Sequence, residues 1–180
     1  ILIKVSIIIP VYNGEKFVRN AIDSVLDQTN QYFEIIVIDD GSTDNTSNIL
    51  KSYGNRIKYN IQENKGQASA INEGLKLSKG EYIAYLDSDD MYYPEKLEEQ
   101  LQFFHDHPDI DLVYSDRHHI DSSAKIISLI QSRQLDHFLF LQQNRIARSS
   151  VVHRRKCLDA VGIFDSSITG SDDWDMWIRM

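Results

Sequence analysis

One cysteine, Cys157, is present among 180 residues, so the chain cannot form an internal disulfide. A lone thiol suits a reducing compartment, and Cys157 reads as a small buried hydrophobe. An excess of basic charge is also missing. The 19 Lys and Arg residues face 27 Asp and Glu residues, giving a net charge of -8 and a pI near 5.1. That balance argues against a nucleic-acid binder, whose footprint is basic. A phosphorylated ligand would then need local help from a metal ion or from backbone amides. No apolar run approaches the roughly 18 residues of a membrane span. The apolar opening at residues 1–9 is interrupted by Lys4 and followed by no small-residue cleavage site, so it reads as a strand rather than a signal peptide. Internal repeats and low-complexity linkers are absent too. With 42% hydrophobic residues, the chain can bury one substantial core, which predicts a single domain.

Strands and helices alternate through the first hundred residues. Val5 to Val11 is a near-continuous β-branched run, as in a strand covered on both faces. Glu15 to Gln28 places Phe17, Val18, Ala21, Ile22, Val25 and Leu26 at helical spacing. Glu34 to Ile38 is a second buried strand, and Ser42 or Thr43 can cap a helix that runs to about Tyr53 and ends at Gly54. Ile57 to Ile61 is a weaker strand. Gly66 to Leu77 reads as a helix closed by Gly80, and Tyr82 to Leu86 as a fourth strand. Pro94 opens a helix through about Phe104, in a first-turn position where its missing amide costs nothing. This alternation predicts an α/β fold with a doubly wound, mostly parallel central sheet flanked by helices. Beyond it, strands are expected at Leu112–Tyr114, Lys125–Ile130 and Ala147–His153, with helices at Gln134–Leu141 and Arg154–Ala160, the latter followed by Gly162. That part reads as a smaller α+β extension. At the end, Trp174, Trp177 and Ile178 follow an i, i+3, i+4 pattern without a stop signal, so the expectation is a domain cut within a helix.

The chemistry gathers at strand ends, where ligands of doubly wound sheets bind. Asp87-Ser88-Asp89-Asp90 follows the fourth strand. Unit charges about 4 Å apart repel by about 4 kcal/mol at an intermediate dielectric. A divalent cation with oxygen ligands turns that repulsion into a site, most often for phosphate chemistry. Taken alone, the segment also fits a solvated acidic turn. Asp39-Asp40-Gly41-Ser42 ends the second strand, where a carboxylate can accept hydrogen bonds from a base or ribose or simply form a capped turn. Tyr12, after the first strand, can stack on a base or pack locally. Lys65-Gly66, with Ala68 and Ala70, puts small residues at a helix start, where amides can approach phosphate or sugar. His105-Asp106-His107 offers too few convergent ligands for a metal site. The basic run Arg154-Arg155-Lys156 can meet anionic groups, but it reads first as a solvated helix face.

Taken together, Val5-Ser-Ile-Ile-Ile-Pro-Val-Tyr-Asn13, Ile36-Val-Ile-Asp-Asp-Gly-Ser-Thr-Asp44, Asn64-Lys65-Gly66, Gly80-Glu-Tyr-Ile-Ala-Tyr-Leu-Asp-Ser-Asp-Asp90 and Gly170-Ser-Asp-Asp-Trp-Asp-Met-Trp-Ile-Arg179 resemble the family 2 glycosyltransferases. The resemblance implies a Rossmann-like GT-A fold over residues 1–180, with a nucleotide-sugar half at 1–104 and an acceptor-side half at 105–180. It implies metal-dependent transfer of a sugar from a nucleotide-sugar donor, with UDP the expected nucleotide, to an acceptor hydroxyl with inversion. Pro10, Val11 and Tyr12 would line the nucleotide pocket. Asp40, with Asp39 beside it, would contact the uracil, while Lys65, Gly66 and Ala70 would border the nucleotide or donor sugar. Asp87-Ser88-Asp89 would be the D-x-D motif, with Asp89 the principal ligand of Mn²⁺ or Mg²⁺ and Asp87 at the ribose or a metal-bound water. Asp173 would be the catalytic base and Asp172 its acidic neighbour.

The family's usual Arg before the Asn of the helix following Lys-Gly is replaced by Ile71, and Asp172 is one methylene shorter than the commoner Glu. The Gln-x-x-Arg-Trp motif of processive members is missing. Gln142-Gln-Asn-Arg145-Ile146 precedes the acid pair and reads as structural, which predicts single-sugar transfer. The implied setting is synthesis of polysaccharide or cell-surface glycan in the cytoplasm, with a glycan or lipid-linked acceptor and peripheral contact at the inner membrane face. Rival readings are a catalytically silent nucleotide-sugar-binding module, a nucleotidyltransferase and a phosphoacceptor signalling domain. The last two lack their expected first-loop chemistry here, since Asn13 and Gly14 follow the first strand.

Overall fold

The computed structural model describes residues 4–132 and 137–180. Along it run β1 (Val5–Val11), α1 (Val18–Leu26), β2 (Phe33–Asp39), α2 (Thr46–Lys51), β3 (Lys58–Ile61), α3 (Gln67–Leu77), β4 (Tyr82–Tyr85) and α4 (Lys96–Asp106). There follow β5 (Leu112–Tyr114), β6 (Arg117–Ile120), β7 (Ile126–Ile130), α5 (His137–Phe140), β8 (Val151–Arg154), α6 (Lys156–Val161) and α7 (Asp172–Arg179). One sheet has the order β3-β2-β1-β4-β8-β5, and β6 and β7 form a separate hairpin. The pairings β1–β2, β1–β4 and β2–β3 are parallel, whereas β8 lies antiparallel to both β4 and β5.

The side-chain period of two divides β1 between two cores. Val5, Ile7, Ile9 and Val11 pack with α1, α2 and α4, while Ile8 packs with α3, α7, Ile83 and Tyr85 on the opposite face. Helices therefore cover both faces, which is why β1 reads as an unbroken apolar run and is buried throughout.

Several boundaries differ from the sequence expectation, each for a local reason. Ser42 and Thr43 do not cap α2. It begins at Thr46, whose amide donates to Asp44 Oδ1 at 2.9 Å, while Ser42 and Thr43 bond to Asn13 instead. Gly80 does not close α3, which ends at Leu77. Gly80 lies against β1, where an added Cβ would sit 2.5 Å from the Ser6 nitrogen. Pro94 stands two residues ahead of α4, before the cap residue Glu95, rather than inside its first turn. The segment read as one strand at Ala147–His153 is a 3-10 turn at Arg148–Ser150 followed by β8. Strand β6 went unread because Arg117-His-His-Ile120 carries no apolar alternation. Of the helix expected at Gln134–Leu141, residues 134–136 lie outside the described residues, as do residues 1–3 of the opening segment.

Candidate functional site

The chain leaves β1 toward β2 and β3, then returns to build β4 on the other side of β1. The carboxyl ends of β1 and β4 thus flank a topological switch point, where doubly wound sheets bind ligands. Beyond Val11 the backbone turns through Asn13 at φ +51°, a conformation that Asn tolerates better than most residues. The Asn13 side chain accepts the Thr43 amide at 2.8 Å, and Gly14 N donates to Thr46 Oγ1 at 2.9 Å. These bonds fix the loop beside a small cavity of about 200 Å³ lined by Pro10, Val11, Tyr12, Asp40, Gln67, Ala70 and Ser88. Tyr12 presents its ring to solvent at the rim.

Asp40 is buried and accepts Gln62 Nε2 at 2.6 Å, Lys65 N at 2.9 Å and Gly66 N at 2.8 Å. It therefore ties the Lys65-Gly66 loop to the end of β2, and Gly66 adopts φ +88° to start α3 there. Asp39 turns away from the cavity. Its Oδ1 accepts the Ser42 amide at 2.8 Å, and its Oδ2 lies 3.5 Å from the Tyr59 hydroxyl. Asp40, Lys65, Gly66 and Ala70 thus come together, and Asp39 serves the turn behind them.

The second half of the site is acidic and is organised by a residue that the sequence reading missed. Arg148 is 6% exposed and sits between the two acid motifs. Its Nη1 lies 3.2 Å from Asp87 Oδ1 and its Nη2 lies 3.0 Å from Asp172 Oδ2, with the guanidinium 5.9 Å from the Phe164 ring centroid. Gln67 Nε2 also donates to Asp87 Oδ1, at 2.9 Å. Burial pushes the Asp87 carboxyl up to about 6 against the pull of Arg148, and Asp90, Asp89 and Asp173 push the same way as burial. Burial likewise raises Asp172, opposed by Arg148. An uncompensated acid cluster of this burial is costly, so a counter-cation was required. That need was the available signal for Arg148, but no motif marks which Arg supplies it.

Asp173 is held at the first turn of α7. Its Oδ1 accepts the Trp174 amide at 2.7 Å, and its Oδ2 accepts Asn144 Nδ2 at 3.1 Å. The tryptophans anchor that helix. Trp177 is buried edge-on to Phe164 at 5.9 Å, and Trp174 Nε1 donates to the Phe140 carbonyl at 2.9 Å. Asp89 is exposed and makes no hydrogen bond or ion pair with the described residues. Its free hard oxygens fit Mn²⁺ or Mg²⁺, which bind through one or two carboxylates and leave other positions to ligand oxygens. Among the described residues no group of three or more His, Cys, Asp or Glu side chains forms a cage, so Asp89, with Asp87 behind it, is the donor set on offer.

The basic run has a structural task. Arg154 Nη1 donates to the Tyr82 hydroxyl at 3.0 Å, Arg155 Nε to the Gly80 carbonyl at 2.6 Å, and Lys156 pairs with Asp111 at 2.7 Å. Two of its cations are thus committed to β4 and the turn before it, not to a solvated helix face.

Residues 6–158 match the family model described as glycosyl transferase family 2. An uncharacterised glycosyltransferase of Rickettsia typhi is 40% identical over 97% of this chain and 58% of its own length. The chondroitin synthase of Escherichia coli is 32% identical over 98% of this chain and 26% of its own. The chain therefore spans only part of the curated relatives it matches. Among solved structures, Staphylococcus aureus TarS superposes with a TM-score of 0.77 at 25% identity, over 98% of this chain and 33% of TarS. A mannosyltransferase of Pyrobaculum calidifontis, solved with GDP-Man and Mn²⁺, shares the fold with a TM-score of 0.70 at 19% identity, over 96% of this chain and 50% of its own.

Proposed function

Because the chain belongs to glycosyl transferase family 2, we propose that it moves a sugar from a nucleotide-sugar donor to an acceptor hydroxyl, with Asp173 as the base. The observation that carries this reading is the joining of the two acid motifs. Arg148 holds Asp87, at the end of β4, and Asp172, at the start of α7, on one guanidinium. Asp173, next to Asp172, lies close enough to Asp87 to act on it electrostatically, which supports its assignment as the base. A sugar hydroxyl is a poor nucleophile, so a carboxylate within hydrogen-bond reach must take its proton as the new bond forms. With no enzyme nucleophile assigned, a single direct displacement inverts the anomeric centre.

UDP is the nucleotide we assign, lying along Pro10, Val11 and Tyr12, with Asp40 and the loop it holds at the base and Asp39 bracing the turn. Lys65, Gly66, Ala70 and Ser88 border the donor. Solved TarS complexes contain UDP and UDP-GlcNAc, which supports that class of donor. Mn²⁺ or Mg²⁺ would be held by Asp89, with Asp87 behind it, and would stabilise charge on the departing nucleoside diphosphate. The acceptor is a glycan or lipid-linked saccharide in polysaccharide or cell-surface glycan synthesis, and the setting is the cytoplasm at the inner membrane face. No helix among the described residues is long and apolar enough to cross a membrane.

The test is turnover by wild type and Asp173→Asn with UDP-sugars. The expected outcome is loss of transfer by at least about 100-fold in the variant, within the range for general-base removal, with donor binding retained. Donor binding without transfer by the intact gene product would instead identify a silent binding module.

A further inference from the structure

The two acids at the start of α7 have different partners. Asp172 is paired with the Arg148 guanidinium, whereas Asp173 is held by neutral donors. The Trp174 amide bonds Asp173 Oδ1 at 2.7 Å, and because it belongs to the next residue this contact travels with the helix. Asn144 Nδ2 donates to Oδ2 at 3.1 Å, and among the described residues it is the bond that ties this carboxylate to a segment outside α7. One donor on each oxygen fixes the plane of the group. Each oxygen keeps a second lone-pair site, so a proton can still be taken.

Asn144 is itself held in place. The Ile146 amide, which can only donate, bonds Asn144 Oδ1 at 3.1 Å, so the nitrogen is the end turned to Asp173. Further along the same segment, Arg148 reaches Asp87 and Asp172. Ser149 Oγ accepts the Asp87 amide at 3.0 Å and donates to Asp90 Oδ2 at 2.5 Å. Residues 144–149 thus form a common mount for the acids after β4 and those of α7, and Asn144 is the member that serves Asp173.

The choice of an amide has a chemical consequence. A cation beside a carboxylate favours its charged form and opposes proton uptake, while a neutral donor orients the group with a weaker bias. Arg148 is spent on Asp172 and Asp87, and the acid read as the base receives the neutral partner.

We propose that Asn144 is the positioning residue of the site, orienting the Asp173 carboxylate through its side-chain N–H. Its part in transfer rests on the reading of Asp173 as the base. The contact itself rests on the geometry of the 144–149 segment.

The experiment uses wild type, Asn144→Asp, Asp173→Ala and the double variant. Asn144→Asp keeps the size of Asn and an oxygen for the Ile146 amide, but sets a second carboxylate against Asp173 in place of the donor. UDP release from UDP-GlcNAc and UDP-Glc with Mn²⁺, water standing in for the acceptor hydroxyl, gives kcat and the donor KM. Melting curves check folding, and the side-chain amide resonances of Asn144 are compared by NMR between wild type and Asp173→Ala. The expected result is a kcat about 100-fold lower in Asn144→Asp, as for a misplaced catalytic group, with the donor KM and melting temperature unchanged. The double variant should then be no slower than Asp173→Ala, because both changes disable one unit. A residue that merely shaped the loop would tolerate the isosteric change. Wild-type turnover by Asn144→Asp, with Asp173→Ala inactive, would overturn the proposal and leave the base reading standing. No UDP release by wild type from either donor would count against the transfer reading, and the resonances then decide alone. Shifted in Asp173→Ala, they uphold Asn144 as the residue that orients Asp173; unmoved, they overturn it.

Discussion

Arg148 does the most with a single side chain. It is almost fully buried, its neighbours are carboxylates on two different elements, and both ion pairs are direct. Removing one partner of a buried pair leaves the other charge uncompensated, at a cost of about 3–5 kcal/mol. Arg148→Met is therefore expected to lower unfolding stability by an amount of that order. The double variant Arg148→Met/Asp172→Asn should lose less than the sum of the single losses, and urea denaturation of all the variants checks this. The carboxylates themselves were legible in the sequence, because Asp87, Asp89, Asp172 and Asp173 sit in motifs at element ends. Arg148 was not. It lies in Asn144-Arg-Ile-Ala-Arg-Ser-Ser150, where nothing local distinguishes Arg148 from Arg145. Only the three-dimensional need for a cation between two acids makes that choice. Asp39 shows the same limit in reverse, since adjacency to Asp40 in sequence placed it at the pocket, whereas its carboxyl serves the Ser42 turn.

At the scale of elements, β8 carries the most informative packing. His153 is fully buried beneath the site. Its Nδ1 lies 2.8 Å from the Arg154 carbonyl, which can only accept, so Nε2 accepts a hydrogen bond from the Tyr85 hydroxyl at 2.8 Å. That neutral tautomer is enforced by burial, which lowers the imidazole from 6.5 to about 4. Between those values the unfolded chain binds a proton that the folded chain refuses, so stability is lost as pH falls through the window. The full difference corresponds to about 3 kcal/mol. His153→Gln should therefore lose less stability than wild type between about pH 7 and pH 4.5, as read from urea midpoints at each pH. A second element-level contact is the crossing of Gly80 over β1. A methyl group there would meet backbone atoms, the Ser6 nitrogen at 2.5 Å and the Val5 carbonyl carbon at 2.7 Å, which cannot move aside cheaply. Gly80→Ala is expected to cost about 1–3 kcal/mol, measurable by thermal melting. Composition showed Gly80 only as a helix stop, because proximity to a strand more than seventy residues earlier leaves no local trace. Buried strands β1, β2 and β4 were legible because burial on both faces writes a continuous apolar run, and polar β6 was not.

Across the whole molecule, strand order converts separated motifs into one crevice. β1 and β4 are neighbours although residues 12–81 lie between them, and β8 inserts antiparallel beyond β4 to bring Arg148 and Ser149 beside the Asp87–Asp90 turn. Alternation of strands and helices predicted the parallel part of this sheet, since each crossover must bury its helix on a face. The antiparallel insertion escaped prediction because Val151–Arg154 is short and follows a 3-10 turn. The motif-bearing half of the site was thus readable in sequence, while the Arg148 bridge exists only once β8 is placed.

The central claim is that the crevice between β1 and β4 takes a nucleoside diphosphate with a divalent cation at Asp89. Calorimetric titration of UDP, with and without Mn²⁺, into wild type and Asp89→Asn tests it most directly. The account predicts Mn²⁺-dependent binding in wild type that falls by at least about tenfold, or about 1.4 kcal/mol, in the variant. Binding that ignores both the metal and the substitution would contradict it.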